Sequence, residues 1–407
     1  MLVTLIPLFN KDMSVRAYSL FTQKNNYFLN PILLGTGSYD GAAYIPGLEV
    51  IESMGIETLS ADKEVFVPVN NISVFTDIDE QCSAPHERIV LLVDNTVKPE
   101  PMYIDRLREL KAAGYKLAIR KLPVVQFEPY REILLLMDYV MLDHKKIDIT
   151  KAKIYFSKIY PNVKLCAINI QNQEIFEALG EDGGYELYEG EFYRIPVTKG
   201  ETEVTPLKIN YIELLNTVNG EDFDLTKAAD IIGRDTALVI SLLKMVNRMA
   251  VNSEITSIRH AAAMLGQREL KKWINTAVAN KLYADKPNEI TRLSLLRAKF
   301  AENLASSFGL AAQGSELFLM GLFSVLDLIL SKPMEEALEM VKVSKEIREA
   351  LVEGTGKFAP VMEFVKQYEY ANWQEISRLM IVKEIDMYQV NKAYLTSLTW
   401  YRDMFSE

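Results

Sequence analysis

Histidine and cysteine are scarce in this chain. Its 407 residues contain 3 His and 2 Cys, and no CxxC pair or Cys/His spacing fits a structural zinc. Two cysteines, Cys82 and Cys166, fit a reducing, cytoplasmic setting, and the chain's length rules out one small disulfide-stapled unit. Positive charge is also in short supply. Lys+Arg number 45 against 55 Asp+Glu, a net charge of −10, the wrong sign for a chain whose main task is to neutralise the phosphates of a nucleic acid. That balance leaves room only for a local basic site. Long apolar runs are missing as well. The longest, Leu317 to Leu330, has 14 residues and includes Asp327, short of the roughly 20 needed to cross a bilayer. The N-terminal run Leu2 to Phe9 has no basic flank before it and no small-residue cleavage site after it, and it reads as a strand, not a signal peptide.

What is present is ordinary globular material, 49% hydrophobic and 25% charged, enough for two or three domains at roughly 150 residues each. The first half alternates strand-like and helix-like segments. β-rich runs occur at Val3 to Phe9, Val65 to Val69, Ile89 to Asp94, Lys116 to Arg120, Tyr139 to Asp143, Lys164 to Ile170 and Tyr185 to Phe192. From Ile89 onward their starts lie 21 to 27 residues apart, the length of a strand plus a crossover helix. One such helix follows Pro101, with Ile104, Leu107, Leu110 and Lys111 at helical spacing and Gly114 placed to stop it.

After the polar stretch Thr198 to Val204 and Pro206, the period changes to helical. Asp224 caps a segment with Leu225, Ala228, Ala229 and Ile232 on one face, ending at Gly233, and Asp235 caps another carrying Leu238, Leu242, Met245 and Val246. Ser257 opens a third, with Ile258, Ala261, Ala262 and Leu265, that Gly266 closes, and Leu270, Trp273, Ile274 and Ala277 resume the pattern. The spacing predicts an α/β domain over 1–200 and an all-helical domain over 201–407.

If the first half is an eight-fold β/α barrel, its chemistry belongs where the strands end. Those tips carry Asp94 and Asn95, Arg120 and Lys121, Asp143 and His144, and Asn169 and Gln171. Metal-assisted phosphodiester hydrolysis needs several carboxylates. Two Asp among cations and amides do not make that set, and the default reading of Asp143 is a loop cap.

These residues resemble the EAL-domain family, whose intact members are cyclic di-GMP phosphodiesterases on a β/α barrel. The opening TLIPLFNKDMSVRAYSLF is similar to the family's start, with Pro7, Tyr18 and Leu20 matching, Ile6 in the place of a glutamine and Ser19 in the place of the metal-binding glutamate. The family's next asparagine falls at Pro68, and its paired acidic positions fall at Leu92 and Asn95. LKAAGYKLAIRKL is the nearest match, except that Arg120 and Lys121 stand for two aspartates. In DYVMLD, Asp138 and Asp143 match but Met141 replaces a functional lysine. The later glutamates fall at Ile168 and Gln171, and ELYEGEFYRIP retains Gly190 and Pro196. On this resemblance the barrel is a degenerate EAL-like barrel of the (β/α) TIM type without its metal and general-base positions. Arg120 and Lys121 would repel cations. They are anion-binding candidates, with solvated surface or internal ion pairing as the plainer reading.

From about residue 205 to 395 the chain resembles the HDOD domain, a helical relative of the HD phosphohydrolases that lacks their metal dyad. DLTKAADIIGRDTALVISLLKMVN and ITSIRHAAAMLG carry the similarity, with Asp235 and Asn247 as signature positions that helix punctuation also explains. In GLFSVLDLIL, Ser324 and Val325 stand where catalytic HD proteins carry His and Asp. No histidine follows His260, so an HD-type binuclear site cannot be assembled in any register. His260 reads as a partly buried hydrogen-bonded residue and His86 as plain surface. Cys166 reads as inert strand packing, and Tyr368, Tyr370 and Trp373 as an aromatic packing cluster. No phosphate loop, dinucleotide fingerprint or nucleophile elbow is present.

The resemblance implies a cytoplasmic bacterial signalling protein, linked to cyclic di-GMP, that has no catalytic centre, metal or cofactor and acts by binding other signalling proteins. The second reading is a receptor that holds cyclic di-GMP or another anionic nucleotide without cleaving it, and the third an active phosphodiesterase. Oligomeric state is not legible.

Overall fold

The computed structural model describes residues 1–29, 44–194, 206–220, 223–249, 255–282, 288–341 and 343–405. Pro196 and the polar stretch Thr198 to Val204 lie outside them. Eight strands close a barrel in sequence order: β1 (Leu2–Phe9), β2 (Val15–Gln23), β3 (Glu64–Pro68), β4 (Ile89–Val93), β5 (Lys116–Ile119), β6 (Tyr139–Asp143), β7 (Lys164–Ile170) and β8 (Leu187–Gly190). β1 is antiparallel to β2 and β8, and the remaining neighbours pair in parallel. The barrel is therefore complete, and β2 is the strand that the spacing of β-rich runs did not register. It follows β1 through a tight hairpin in which Asp12 accepts hydrogen bonds from the Ser14 amide and hydroxyl. A hairpin needs no crossover helix, which is how fewer than 200 residues complete eight strands.

Strand alternation sends Leu8, Ala17, Phe66, Leu92, Met141, Cys166 and Ile168, among others, into one buried apolar cluster. The N-terminal end of the barrel is sealed by charge. Glu64, 4% exposed, accepts from the Tyr139 hydroxyl at 3.0 Å and pairs with Arg16 at 3.4 Å and with Lys116. Outside, the expected helix runs Pro101–Ala112 and buries Ile104, Leu107 and Leu110; Gly114, at φ +98°, supplies the left-handed turn that ends it.

Beside the expected division at 200/201, the structure gathers the chain into two compact units. One compact unit comprises Met1–Ile195 together with Glu363–Glu407, and the other is Pro196–Met362. The physical reason lies on β1. No crossover helix covers this strand, yet its outward residues Val3, Leu5 and Phe9 are 0%, 5% and 0% exposed. Helix Met387–Phe405 packs on β1 and on helix Ile56–Ser60, Arg402 donates to Thr58 at 2.7 Å, and the Val3 amide donates to the Tyr368 hydroxyl at 3.2 Å. Burying each such aliphatic side chain contributes about 1.5–3 kcal/mol. Of the expected aromatic cluster, Tyr368 lies 5.4 Å from Trp373 and is joined by Tyr394 at 4.9 Å, whereas Tyr370 is exposed with the Arg194 guanidinium 4.9 Å from its ring centre.

The Pro196–Met362 unit is helical in its described residues. Asp224 caps helix Leu225–Ile232 by accepting from the Thr226 and Lys227 amides. Gly266, at φ +72°, breaks the stretch Ile258–Leu282 into two helices at the expected point. Helices Asn288–Leu304 and Gly314–Phe323 approach so closely that a Cβ on Gly321 would lie 2.5 Å from the Ala298 backbone.

Candidate functional site

β2 to β8 run the same way, so the C-terminal ends of those strands form one rim, and the inward positions there define the mouth. Arg120, at the end of β5, turns inward. Its guanidinium lies 3.5 Å from the Glu189 carboxylate of β8 and 5.1 Å from the centre of the Phe21 ring of β2. The Ser19 hydroxyl donates to the other Glu189 oxygen at 3.5 Å. The pair is well sheltered, with side chains 14% and 8% exposed. Arg120 Nε and Nη1 are buried without a hydrogen-bond partner among the described residues. Lys121 is exposed and holds a left-handed backbone, φ +59°. Arg120 and Lys121 therefore diverge.

The other strand-tip residues serve local structure. Asp94 accepts from the Thr96 amide at 2.9 Å and from its hydroxyl at 2.7 Å. Asp143 accepts from the Lys145 amide at 3.0 Å and has Lys146 at 3.7 Å. The Asn95 carbonyl accepts from Tyr130 and Lys98, His144 meets the Asn169 carbonyl at 2.7 Å, and Gln171 is exposed. Leu92, Met141 and Ile168, which the EAL resemblance puts at functional positions, belong to the packed apolar cluster with Cys166, whose thiol burial pushes well up. Among the described residues no group of three or more His, Cys, Asp or Glu side chains is arranged to hold a metal ion. Leu92, Met141 and Ile168 offer no oxygen donor, and the Glu189 carboxylate is engaged by the Arg120 guanidinium, so the residues at the mouth do not fit the metal that the family implies.

In the helical unit, Ser324 is 9% exposed and donates to the Gly321 carbonyl at 2.6 Å. Arg297, 5% exposed, donates to the Ser324 hydroxyl at 3.1 Å and its carbonyl at 3.4 Å. A guanidinium thus lies against the segment where HD enzymes carry their dyad. Val325 is buried. Asp235 accepts from the Ala237 and Leu238 amides and, at 2.6 Å, from the Tyr211 hydroxyl. Burial works against its charge, but the Tyr211 hydroxyl and those amides hold its carboxyl below the usual range. Asn247 donates to the Ile255 carbonyl at 2.9 Å and accepts from its amide at 2.7 Å, so it holds the backbone of a residue eight positions on, a longer reach than a helix-end bond.

Two histidine expectations need correction. His260 is exposed, because its helix turns Ala261 and Ala262 inward instead. His86 is a joint and not plain surface: it stacks on Tyr115 at 4.2 Å, pairs with Asp79 at 3.0 Å and meets the Ala113 carbonyl at 2.8 Å. Sequence reading also missed Glu189, Phe21 and Arg297. For Glu189 the signal was an acidic residue at the same parity as inward Leu187 on a short strand.

Fold and site together define a closed β-barrel joined to an all-helical module. The HDOD domain family matches residues 205–354, so that module is an HDOD domain. Two curated relatives are similar over most of the chain. YuxH of Bacillus subtilis (strain 168) is 28% identical, covering 98% of this chain and 97% of its own. The cyclic di-GMP phosphodiesterase CdgJ of Vibrio cholerae serotype O1 is 24% identical, covering 90% and 84%. Among solved structures, the FimX EAL domain of Pseudomonas aeruginosa bound to c-di-GMP is similar with a TM-score of 0.37 and 11% identity, covering 50% of this chain and 93% of that one. No helix among the described residues is long and apolar enough to cross a membrane.

Proposed function

We propose that this protein is a non-catalytic regulator or scaffold in cyclic di-GMP-related signalling, acting by binding other signalling proteins, with a degenerate EAL-like barrel and an HDOD domain as its two modules. The observation that carries the reading is the Arg120–Glu189 pair at the barrel mouth. A guanidinium held there by a sheltered carboxylate repels the divalent ions that phosphodiester hydrolysis would need, and the carboxylate it uses is no longer available as a ligand. Leu92, Met141 and Ile168 support the same reading, since none can bind a cation or move a proton. The relative CdgJ, named a cyclic di-GMP phosphodiesterase, supports the pathway and supplies the opposing reading, an active enzyme.

One observation favours the receptor reading. Arg120 keeps two donor nitrogens, Nε and Nη1, without a partner among the described residues, and such donors suit a phosphate oxygen. Calorimetric titration of the full chain with cyclic di-GMP decides between the two. The scaffold reading expects no heat of binding at high micromolar ligand. Saturable heat that disappears in Arg120→Ala establishes the receptor instead.

A further inference from the structure

The chain leaves the barrel unit after Ile195 and returns to it at Glu363. The returning segment does specific work there. Tyr368 accepts from the Val3 amide, Glu369 pairs with Arg194 at 3.3 Å, Ser377 accepts from the Tyr27 amide at 2.8 Å, and Arg402 donates to Thr58. These contacts reach the outer side of β1, the loop after β2, the last turn after β8 and the helix before β3. The first of them lies on β1, which a hairpin and not a crossover helix joins to β2.

We propose that residues 363–405 are a clasp belonging to the barrel, and that the HDOD module is an insertion held by the barrel at both chain ends, not a C-terminal appendage. The clasp supplies the missing wall over β1. Val3, on the outer face, is its anchor; Ser19 and Phe21 of β2, the hydrogen-bonded neighbour of β1, face inward beside Glu189 and Arg120. The strand pair that holds the clasp therefore also builds the mouth.

Hydrogen exchange followed by peptide mass spectrometry on the full chain tests the assignment. Gly321→Ala weakens the HDOD module. The clasp reading expects peptides from 206–341 to exchange faster while those from 363–405 keep their protection together with 2–23. Gly190→Ala weakens the barrel, and there 363–405 should lose protection in step with 2–23. Tyr368→Phe, which removes one hydroxyl and leaves the ring, should speed exchange of the Val3 amide about five- to tenfold without changing 206–341. Loss of protection in 363–405 together with 206–341 in Gly321→Ala, or an unchanged Val3 amide in Tyr368→Phe, overturns the proposal.

Discussion

Arg120 and Glu189, 69 residues apart in sequence, meet at 3.5 Å inside the mouth of the barrel. Removing one partner strands the other charge in a sheltered place. Glu189→Leu is expected to destabilise the barrel by about 3 kcal/mol, while the double variant Arg120→Met, Glu189→Leu recovers most of that loss. Denaturant unfolding of the three proteins checks it. Additive losses would mean that the two groups are not coupled.

Gly190 ends β8 directly beside that pair. A Cβ there would lie 2.0 Å from the Ile170 carbonyl oxygen and 2.6 Å from the Ile170 amide nitrogen, and neither backbone atom can move without breaking the β7–β8 register. Gly190→Ala is expected to cost about 3 kcal/mol, read as a lowered midpoint for the barrel transition. An unchanged midpoint would contradict this account of why the glycine is there.

The Tyr211–Asp235 hydrogen bond sets a two-sided pH window for the HDOD module. Burial and the Asp235 carboxylate raise the Tyr211 hydroxyl from 10.0 to about 12, so its contribution is full below pH 10 and is lost as pH rises through about 12. Asp235 is lowered from 3.8, so its contribution is present above that value and is lost as pH falls through the lowered one. Melting temperature against pH should show both limbs, and Tyr211→Phe should remove the alkaline limb and shrink the acid one. Parallel profiles for the two proteins would remove this bond as the cause.

Asn247 separates donor from acceptor in one side chain. Asn247→Asp keeps the acceptor for the Ile255 amide but turns the donor that faces the Ile255 carbonyl into a second acceptor. Asn247→Ala loses both bonds without repulsion and should cost about 1–3 kcal/mol, with Asp no better than Ala. Thermal unfolding of the HDOD module compares them, and a near-native Asp variant would show that the amide donor does not matter.

The parts of this structure legible in the sequence are those fixed by local period and punctuation. Asp224 and Gly266 act at the positions their patterns indicate, and helix Pro101–Ala112 follows from Ile104, Leu107 and Leu110 at helical spacing. β2 escaped because a hairpin breaks the strand-plus-helix spacing used to find the others. The placement of 363–405 escaped because an amphipathic period shows that a helix has an apolar face without saying which surface it covers. At the mouth, Arg120 was visible and Glu189 was not, since ion pairing across a closed barrel depends on register and not on proximity in sequence.

The central claim is that the barrel mouth carries out no phosphodiester chemistry. Incubating the full chain with cyclic di-GMP and magnesium or manganese, and resolving the nucleotides by chromatography, tests it most directly. The expected result is no linear dinucleotide above a heat-killed control. Metal-dependent product that Arg120→Ala, Glu189→Leu or both change in rate would contradict it.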